Sequence, residues 1–381
     1  MKTTKTTELV LVGALSVRRA FNFSMAIIAP AIILLCMPIE ALGDEQIRMG
    51  YITDLSGPGA YYGRYSAAGA MLAIEDLKRS GTQISLILED HGFQASKAVS
   101  AAQRLLGISK VSVLVSEFSF ATNAIVPLAA KADVLFLGVS PAVSILKENP
   151  IAFKTFLDYE QGCRAIAEYW RDIGVERVAV LKVISESGEL CLKGTQAVFP
   201  SVSVEEFAIG SDVASQVMRL KQKSPEAIMA PAFEGDALNL FSALKRVNWR
   251  PKIGFDVRDS LTEQVRRVYP ESIQDAIGFG FRPPPEFLTV RLRDRAPGIT
   301  DLGLEAAALA YLHIRQLGEA LKACRSTKCA VGAFAAAKPE PILEFEGWTN
   351  RIAQFGLYLY RFEDEHLKEV RKANHQANTE G

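Results

Sequence analysis

The most restrictive feature of the sequence is a twice-repeated alternation of short apolar runs with stretches of helical period. Ile47–Thr53, Ile84–Glu89, Val111–Val115 and Val134–Val139 are strand-length runs dominated by apolar residues. Between them lie Tyr62–Lys78, Ala95–Leu106 and Thr122–Lys131. In the first of these, Ala67, Ala70, Met71, Ile74 and Leu77 recur on one helix face. Strands with continuous rather than alternating apolar character are buried on both faces, as in a parallel sheet covered by helices. A second series begins near residue 160. It has helices at Gln161–Ile173, Leu190–Phe199 and Asp236–Val247, and strands at Val178–Val183, Ala227–Ala230, Lys252–Phe255 and Ala276–Phe281. Two such series predict an α/β protein of two Rossmann-like lobes.

Pro283, Pro284 and Pro285 then interrupt the pattern, because proline blocks helix and sheet alike. The long helix expected at Leu304–Lys322 poses the topological question. If the chain returns there to the first lobe, multiple hinge crossovers join the lobes around a cleft. That cleft lies at the carboxyl ends of the strands, where open α/β sheets bind ligands. The expected division is lobe I from 44–157 plus 283–340, and lobe II from 158–282 plus 341–371. Strands are expected at Pro341–Phe345 and Phe355–Phe362. The polar chain from His366 onward should fray, with 372–381 a flexible tail.

Ahead of the first strand, Met25–Met37 is apolar but shorter than the roughly 20 residues a membrane span needs. Lys2, Lys5, Arg18 and Arg19 precede it, and Pro38 and then Ala41-Leu42-Gly43 follow. Residues 1–43 therefore read as a secretory signal peptide, and the mature chain is expected to be exported, to the periplasm if the resemblance given below holds. Arg18-Arg19-Ala20-Phe21 resembles a twin-arginine core without its usual continuation, so the general secretory route is favoured. Leu35 before Cys36 argues against a lipoprotein. Cys163, Cys191, Cys324 and Cys329 remain, and an oxidising compartment allows Cys163 to pair with Cys191 and Cys324 with Cys329. Four cysteines allow three connectivities, and buried thiols are the other option.

Composition narrows the function. The 43 basic residues equal the 43 acidic ones, which gives no electrostatic reason to expect nucleic acid or an anionic membrane as partner. The four histidines are scattered and no Cys/His cluster has zinc spacing, so no metal is expected. Gly57-Pro58-Gly59 with Gly63 misses the G-x-G-x-x-G fingerprint by one place and reads as a tight turn. No nucleophile elbow, Walker loop or HExxH sequence occurs, and Glu89-Asp90-His91 reads as a solvated strand end. An enzyme is thereby disfavoured, and no cofactor and no catalytic residue are expected. The turns Ser116–Thr122 and Ser140–Ser144 are richer in meaning. Helix-start N–H groups with Ser and Thr hydroxyls suit a carboxylate, and equally Ser119, Thr122 and Ser144 suit N-caps.

Asp54-Leu55-Ser56-Gly57-Pro58-Gly59-Ala60-Tyr61-Tyr62-Gly63, followed by Ala68-Gly69 and Ala73-Ile74-Glu75-Asp76, resembles the opening of the leucine/isoleucine/valine-binding protein family. Members are type I periplasmic solute-binding proteins of ABC importers. The turns at Ser119 and at Ser140-Pro141-Ala142, and the final strand at Leu357–Phe362, fall in the same order. The resemblance implies an amino acid or amide-like ligand held between the lobes. Ser119 and Ser144 would give hydroxyls to its carboxylate, with Thr122 and Val143 in the same turns. The Ala142 carbonyl and Asp256 carboxylate would receive its ammonium, and Tyr62 and Phe118 would line a wall. Where the family has aromatic residues in the second lobe, this chain has Ser187 and Glu234, unless Phe233 takes the latter place. The implied partner is an ABC permease in the inner membrane, serving a monomeric binding protein. The alternative is a ligand sensor of the same fold.

Overall fold

The computed structural model describes residues 46–230, 233–255, 262–324, 326–363 and 366–373. The expected signal peptide, Asp256 and residues 374–381 lie outside them. The chain first builds β1 (Ile47–Thr53), α1 (Ala60–Arg79), β2 (Ile84–Asp90), α2 (Ala95–Gly107), β3 (Val113–Glu117), α3 (Ser119–Lys131), β4 (Leu135–Val139), α4 (Ile145–Glu148) and β5 (Ala152–Thr155). It crosses at 156–158 and repeats the plan. The second series is α5 (Tyr159–Asp172), β6 (Val178–Val183), α6 (Glu186–Gln196), β7 (Ser203–Phe207), α7 (Ala214–Gln222), β8 (Ala227–Met229), α8 (Glu234–Arg246), β9 (Lys252–Phe255), α9 (Glu263–Val268) and β10 (Ile277–Gly280). After a second crossover at the prolines come α10 (Glu286–Arg295), α11 (Asp301–Ala323), α12 (Thr327–Ala335), β11 (Phe345–Thr349) and β12 (Ile352–Phe355). A third crossover leads to β13 (Tyr358–Glu363) and β14 (His366–Lys372).

Each lobe carries a seven-stranded sheet, ordered β11-β12-β5-β4-β3-β1-β2 in the first and β14-β13-β10-β9-β8-β6-β7 in the second. Strands β1 to β5 and β6 to β10 pair in parallel; β12 joins β5 in parallel and β11 pairs antiparallel with β12 at one edge of the first sheet, while β13 and β14 add antiparallel pairs at one edge of the second. Both sheets reverse direction of winding beside their first strand, between β1 and β3 and between β6 and β8. Such reversal points open a crevice at the carboxyl ends of the strands. Strand β4 is buried along its whole length, as its continuous apolar character requires.

The return to lobe I is fastened to α1. Arg291 forms a bidentate pair with Asp76 at 2.6 and 2.8 Å, and the Tyr311 hydroxyl donates to the same carboxylate at 2.8 Å. Gly69 lies in the interior of α1 directly against the backbone of Ala307 on α11, where any Cβ would overlap the Ala307 carbonyl oxygen. The two helices are thus in backbone contact, a closeness only glycine permits.

Several expectations are corrected. Pro341–Phe345 is not a strand: Ile342–Glu344 form a short 3-10 turn and β11 begins at Phe345. The expected strand Phe355–Phe362 divides at Gly356-Leu357 into β12 and β13, which belong to different sheets. Residues 345–355 therefore join lobe I instead of lobe II. A polar tail fraying from His366 is also corrected, because 366–372 pair antiparallel with β13 as an edge strand. Its polar sequence reflects a solvated edge. β7 is missed for the same reason, since its residues alternate between half-buried and exposed. The Cys163–Cys191 bond joins α5 to α6, and Cys324–Cys329 closes the turn between α11 and α12, with Cα separations of 5.2 and 5.4 Å.

The three crossovers share one aromatic cluster. Phe156 and Phe281 have ring centroids 5.8 Å apart, Phe281 and Phe355 5.0 Å, and the buried Tyr360 hydroxyl donates to the Phe281 carbonyl at 2.7 Å. The buried Lys154 ammonium donates to the Phe156 carbonyl at 3.2 Å. Burial lowers its pKa, opposed by the charges of Asp158 and Glu186. Tyr360→Phe removes a donor from a buried carbonyl, which costs about 1–2 kcal/mol. A lower urea midpoint at unchanged m-value is the expected result; an unchanged midpoint would show that the hinge carbonyl is satisfied without this hydroxyl.

Candidate functional site

A cleft between the lobes lies where both sheets present their strand ends. Its first wall comes from the turns after β1, β2, β3 and β4, through Tyr61 and Tyr62, Phe93, Phe118 to Phe120, and Ser140 with Pro141. Phe156 and Tyr159 at the first crossover form its floor. The second wall comes from the turns after β6, β7 and β8, through Ile184, Ser185 and Ser187, Ile209, and Phe233 with Asp236.

Aromatic rings dominate this space. Phe118 occupies the position before α3 with φ +69°, a left-handed conformation uncommon for a bulky residue and a recurrent mark of functional turns. Its ring meets Tyr62 at 5.9 Å, Phe93 at 5.4 Å and Phe233 at 6.3 Å between centroids. Phe93 meets Phe233 edge-on at 6.1 Å, so rings of the two lobes touch across the cleft. Tyr62 also contacts Phe156 at 6.5 Å. Such pairs add roughly 0.5–1.5 kcal/mol each beyond their burial.

Polar groups are few. The Ser185 and Ser187 hydroxyls lie 2.7 Å apart, and Ser185 accepts the Gly188 N–H at the start of α6. Asp236 is buried and accepts the N–H groups of Gly210 at 2.7 Å and Phe233 at 3.4 Å. Burial nonetheless pushes its pKa up, because those two hydrogen bonds do not recover the lost hydration. Among the described residues no Lys, Arg or His side chain lines the cleft. Behind Phe118, Glu117 is fully buried and accepts hydrogen bonds from the Tyr51 hydroxyl at 2.9 Å and from the Thr53 hydroxyl. Burial raises its pKa to about 7 despite those donors.

The expected site residues divide. Tyr62, Phe118, Ser119 and Ser187 line the cleft. Thr122 does not: it is buried and donates to Ser116, to the carbonyl or the hydroxyl at 3.3 Å each. Ala142 is buried below its turn, with its N–H on the Ser140 hydroxyl at 3.2 Å. Glu234 faces a separate groove beside Tyr65, Arg266, Arg267 and Asp301, so Phe233 is the cleft residue. Asp256 lies outside the described residues. Val143 and Ser144 are engaged by the protein itself. The Glu186 carboxylate, from the start of α6 in lobe II, accepts the Val143 N–H at 2.8 Å and the Ser144 N–H at 3.1 Å. It also accepts the Ser144 hydroxyl at 2.6 Å and Asn123 Nδ2 at 3.4 Å. Burial alone would raise the Glu186 pKa, but these donors outweigh it and hold the carboxyl below its ordinary value.

Sequence reasoning missed Phe93, Phe120, Phe156, Tyr159, Asp236 and Glu186. Phe93 and Phe120 each lie just beyond a strand end, and that position is the available signal; Asp236 sits in the first turn of α8. The Gly57–Gly59 turn holds no anion because Asp54 fills it, accepting the N–H groups of Gly57 and Gly59 at 2.7 Å each.

Similarity to known proteins fits this architecture. A family model described as periplasmic binding protein matches residues 46–340. A leucine-binding protein from Thermotoga maritima superposes with a TM-score of 0.76 at 15% identity, covering 86% of this chain and 99% of the other. The branched-chain amino acid transporter substrate-binding protein LivJ from Streptococcus pneumoniae, in complex with isoleucine, gives 0.74 at 20% identity, covering 86% and 100%. A solute-binding protein of an ABC transporter from Rhodopseudomonas palustris, in complex with 3,4-dihydroxybenzoic acid, gives 0.72 at 20% identity, covering 86% and 96%. No curated protein matches the chain in sequence.

Proposed function

We propose that this chain, which belongs to the periplasmic binding protein family, is the solute-binding component of an ABC importer. It closes on a small organic ligand in the periplasm and delivers it, as a monomer, to an inner-membrane permease. The observation that carries this reading is the cleft. Its walls come from both lobes, three crossovers form its hinge, and rings from each side meet across it. A ligand that touches both walls binds the closed form better than the open one, so binding shifts the population of states without any chemistry. The sequence reading named a small amino acid or an amide-like compound. The cleft supports the amide-like part of that expectation more than the zwitterion, because the Ser144 turn, one of the two donors meant for an α-carboxylate, serves Glu186.

The test is a thermal-shift screen of residues 44–381 with amides, aromatic compounds, amino acids and small carboxylates. Ligand at about a hundredfold excess over its dissociation constant adds roughly 2.7 kcal/mol of stability. At least one class is expected to raise Tm, and silence across all four would argue against a solute-binding role. Phe118→Ala removes the ring that meets Tyr62 in its own lobe and Phe233 in the other. It should weaken binding of any hit by tenfold or more in calorimetry, whereas undiminished affinity would place the ligand elsewhere.

A further inference from the structure

We propose that Glu186 is an internal substitute for a ligand carboxylate: it latches the lobes together and reserves the cleft for an uncharged aromatic compound. The proposal rests on the solute-binding reading and deepens it. Every named partner of this carboxylate lies in the other lobe. Val143 and Ser144 supply two N–H groups and a hydroxyl from the turn after β4, and Asn123 supplies an amide from α3. Ser144 and the N–H groups of its turn are among the groups that the sequence resemblance assigns to a ligand's carboxylate, whereas Ser119, the other hydroxyl so assigned, stays on the cleft wall. With Glu186 seated there, that anion site is filled before any ligand arrives.

The remainder of the cleft offers a carboxylate little else. Among the described residues its lining includes no cationic side chain, and Asp236 is acidic. Lys154, the buried cation at the first crossover, is spent on the carbonyls of Phe156 and Leu157. An anionic ligand entering this space would lose its hydration and meet only neutral hydroxyls, with no cationic partner among the described residues, which is unfavourable. A flat uncharged ring loses little hydration and gains the faces and edges of Phe93, Phe118, Phe156 and Phe233. Hydroxyl or carbonyl substituents on that ring find the Ser119, Ser140 and Ser187 hydroxyls along the same walls.

Two measurements on wild type, Glu186→Ala and Glu186→Gln test this. In calorimetry with phenol, benzamide, benzoate, L-leucine and benzyltrimethylammonium, the wild type should bind phenol or benzamide at least tenfold more tightly than benzoate. Glu186→Ala empties the turn and should improve benzoate binding at least tenfold, while Glu186→Gln, still filling it, should not. In small-angle scattering of the unliganded proteins, Glu186→Ala should show a larger radius of gyration than wild type. Benzoate or L-leucine binding the wild type as tightly as Glu186→Ala overturns the substitution but leaves the solute-binding reading intact. A preference for benzyltrimethylammonium overturns the uncharged class in favour of a cation. Heat from none of the probes overturns the aromatic class, and identical scattering overturns the latch. Only the wider screen above bears on solute binding itself.

Discussion

Gly69→Val is expected to destabilise the protein by roughly 4 kcal/mol or more, lowering Tm by many degrees or preventing lobe I from folding. Glycine in a helix interior costs about 1 kcal/mol relative to alanine, so a larger residue at an unconstrained site should stabilise. Here the site is not unconstrained. A Cβ on Gly69 would overlap the Ala307 carbonyl oxygen and sit 2.7 Å from the Ala307 Cα. These are backbone atoms, so no rotamer change relieves the clash and α1 must separate from α11. Over-packing typically costs 1–3 kcal/mol when side chains can yield, and more when they cannot. The contrast is Gly332 in α12, whose Cβ would meet nothing within 4 Å. Gly332→Ala should stabilise by about 0.5–1 kcal/mol. Urea unfolding of both variants checks the pair, and a Gly69→Val protein as stable as wild type would show that the helices can part without loss.

The second large effect is a pair of opposed pH dependences. Glu117 is fully buried and its pKa is raised from 4.5 to about 7, chiefly by burial. The folded state therefore holds this proton more tightly, and stability is lost as pH rises from 4.5 through 7. His313 on α11 is fully buried between Thr155 and Gln316, at 2.7 and 3.1 Å. Burial lowers its pKa from 6.5 to about 3. The unfolded state takes up that proton first, so stability is complete above pH 6.5 and is lost as pH falls toward 3. Between pH 4.5 and 6.5 the two slopes oppose each other, at up to about 1.4 kcal/mol per pH unit each. Glu117→Gln should expose the histidine slope, giving a variant that gains up to about 3 kcal/mol relative to wild type on going from pH 4.5 to 6.5. His313→Phe should change in the opposite sense across the same window. Chemical denaturation at several pH values reads both, and variants that track wild type in parallel would refute the assignment.

Much of the fold was legible because burial writes itself into composition. β4 is covered on both faces and therefore reads as a continuous apolar run. Strands at the solvated edges carry no such record. β7 displays Glu205 and Glu206 and β14 displays charged residues, so periodicity passed over both. β5 is only four residues long and contains Lys154, whose buried ammonium is satisfied by crossover carbonyls that no local pattern announces. The division of one apolar run into β12 and β13 is likewise invisible along the chain, since both halves are apolar and only their sheet partners differ.

The site follows the same logic. Tyr62, Phe118, Ser119 and Ser187 sit in turns after strands, and a strand's end is a local property that a sequence can show. Whether Phe233 or its neighbour Glu234 enters the cleft depends on the orientation of one turn, which the packing of α8 decides.

By itself the sequence determined two α/β layers, their parallel sheets and a binding cleft at the strand ends. Those follow from hydrophobic period and strand order, which are properties of contiguous residues. Only the tertiary structure decided what that cleft can hold. Glu186 and Ser144 are 42 positions apart and in different lobes, and they meet because the crossovers bring the turns at the strand ends of the two lobes together. A hydrogen bond acts over about 3 Å, so the identity of an anion's partner is set by closure rather than by any pattern along the chain.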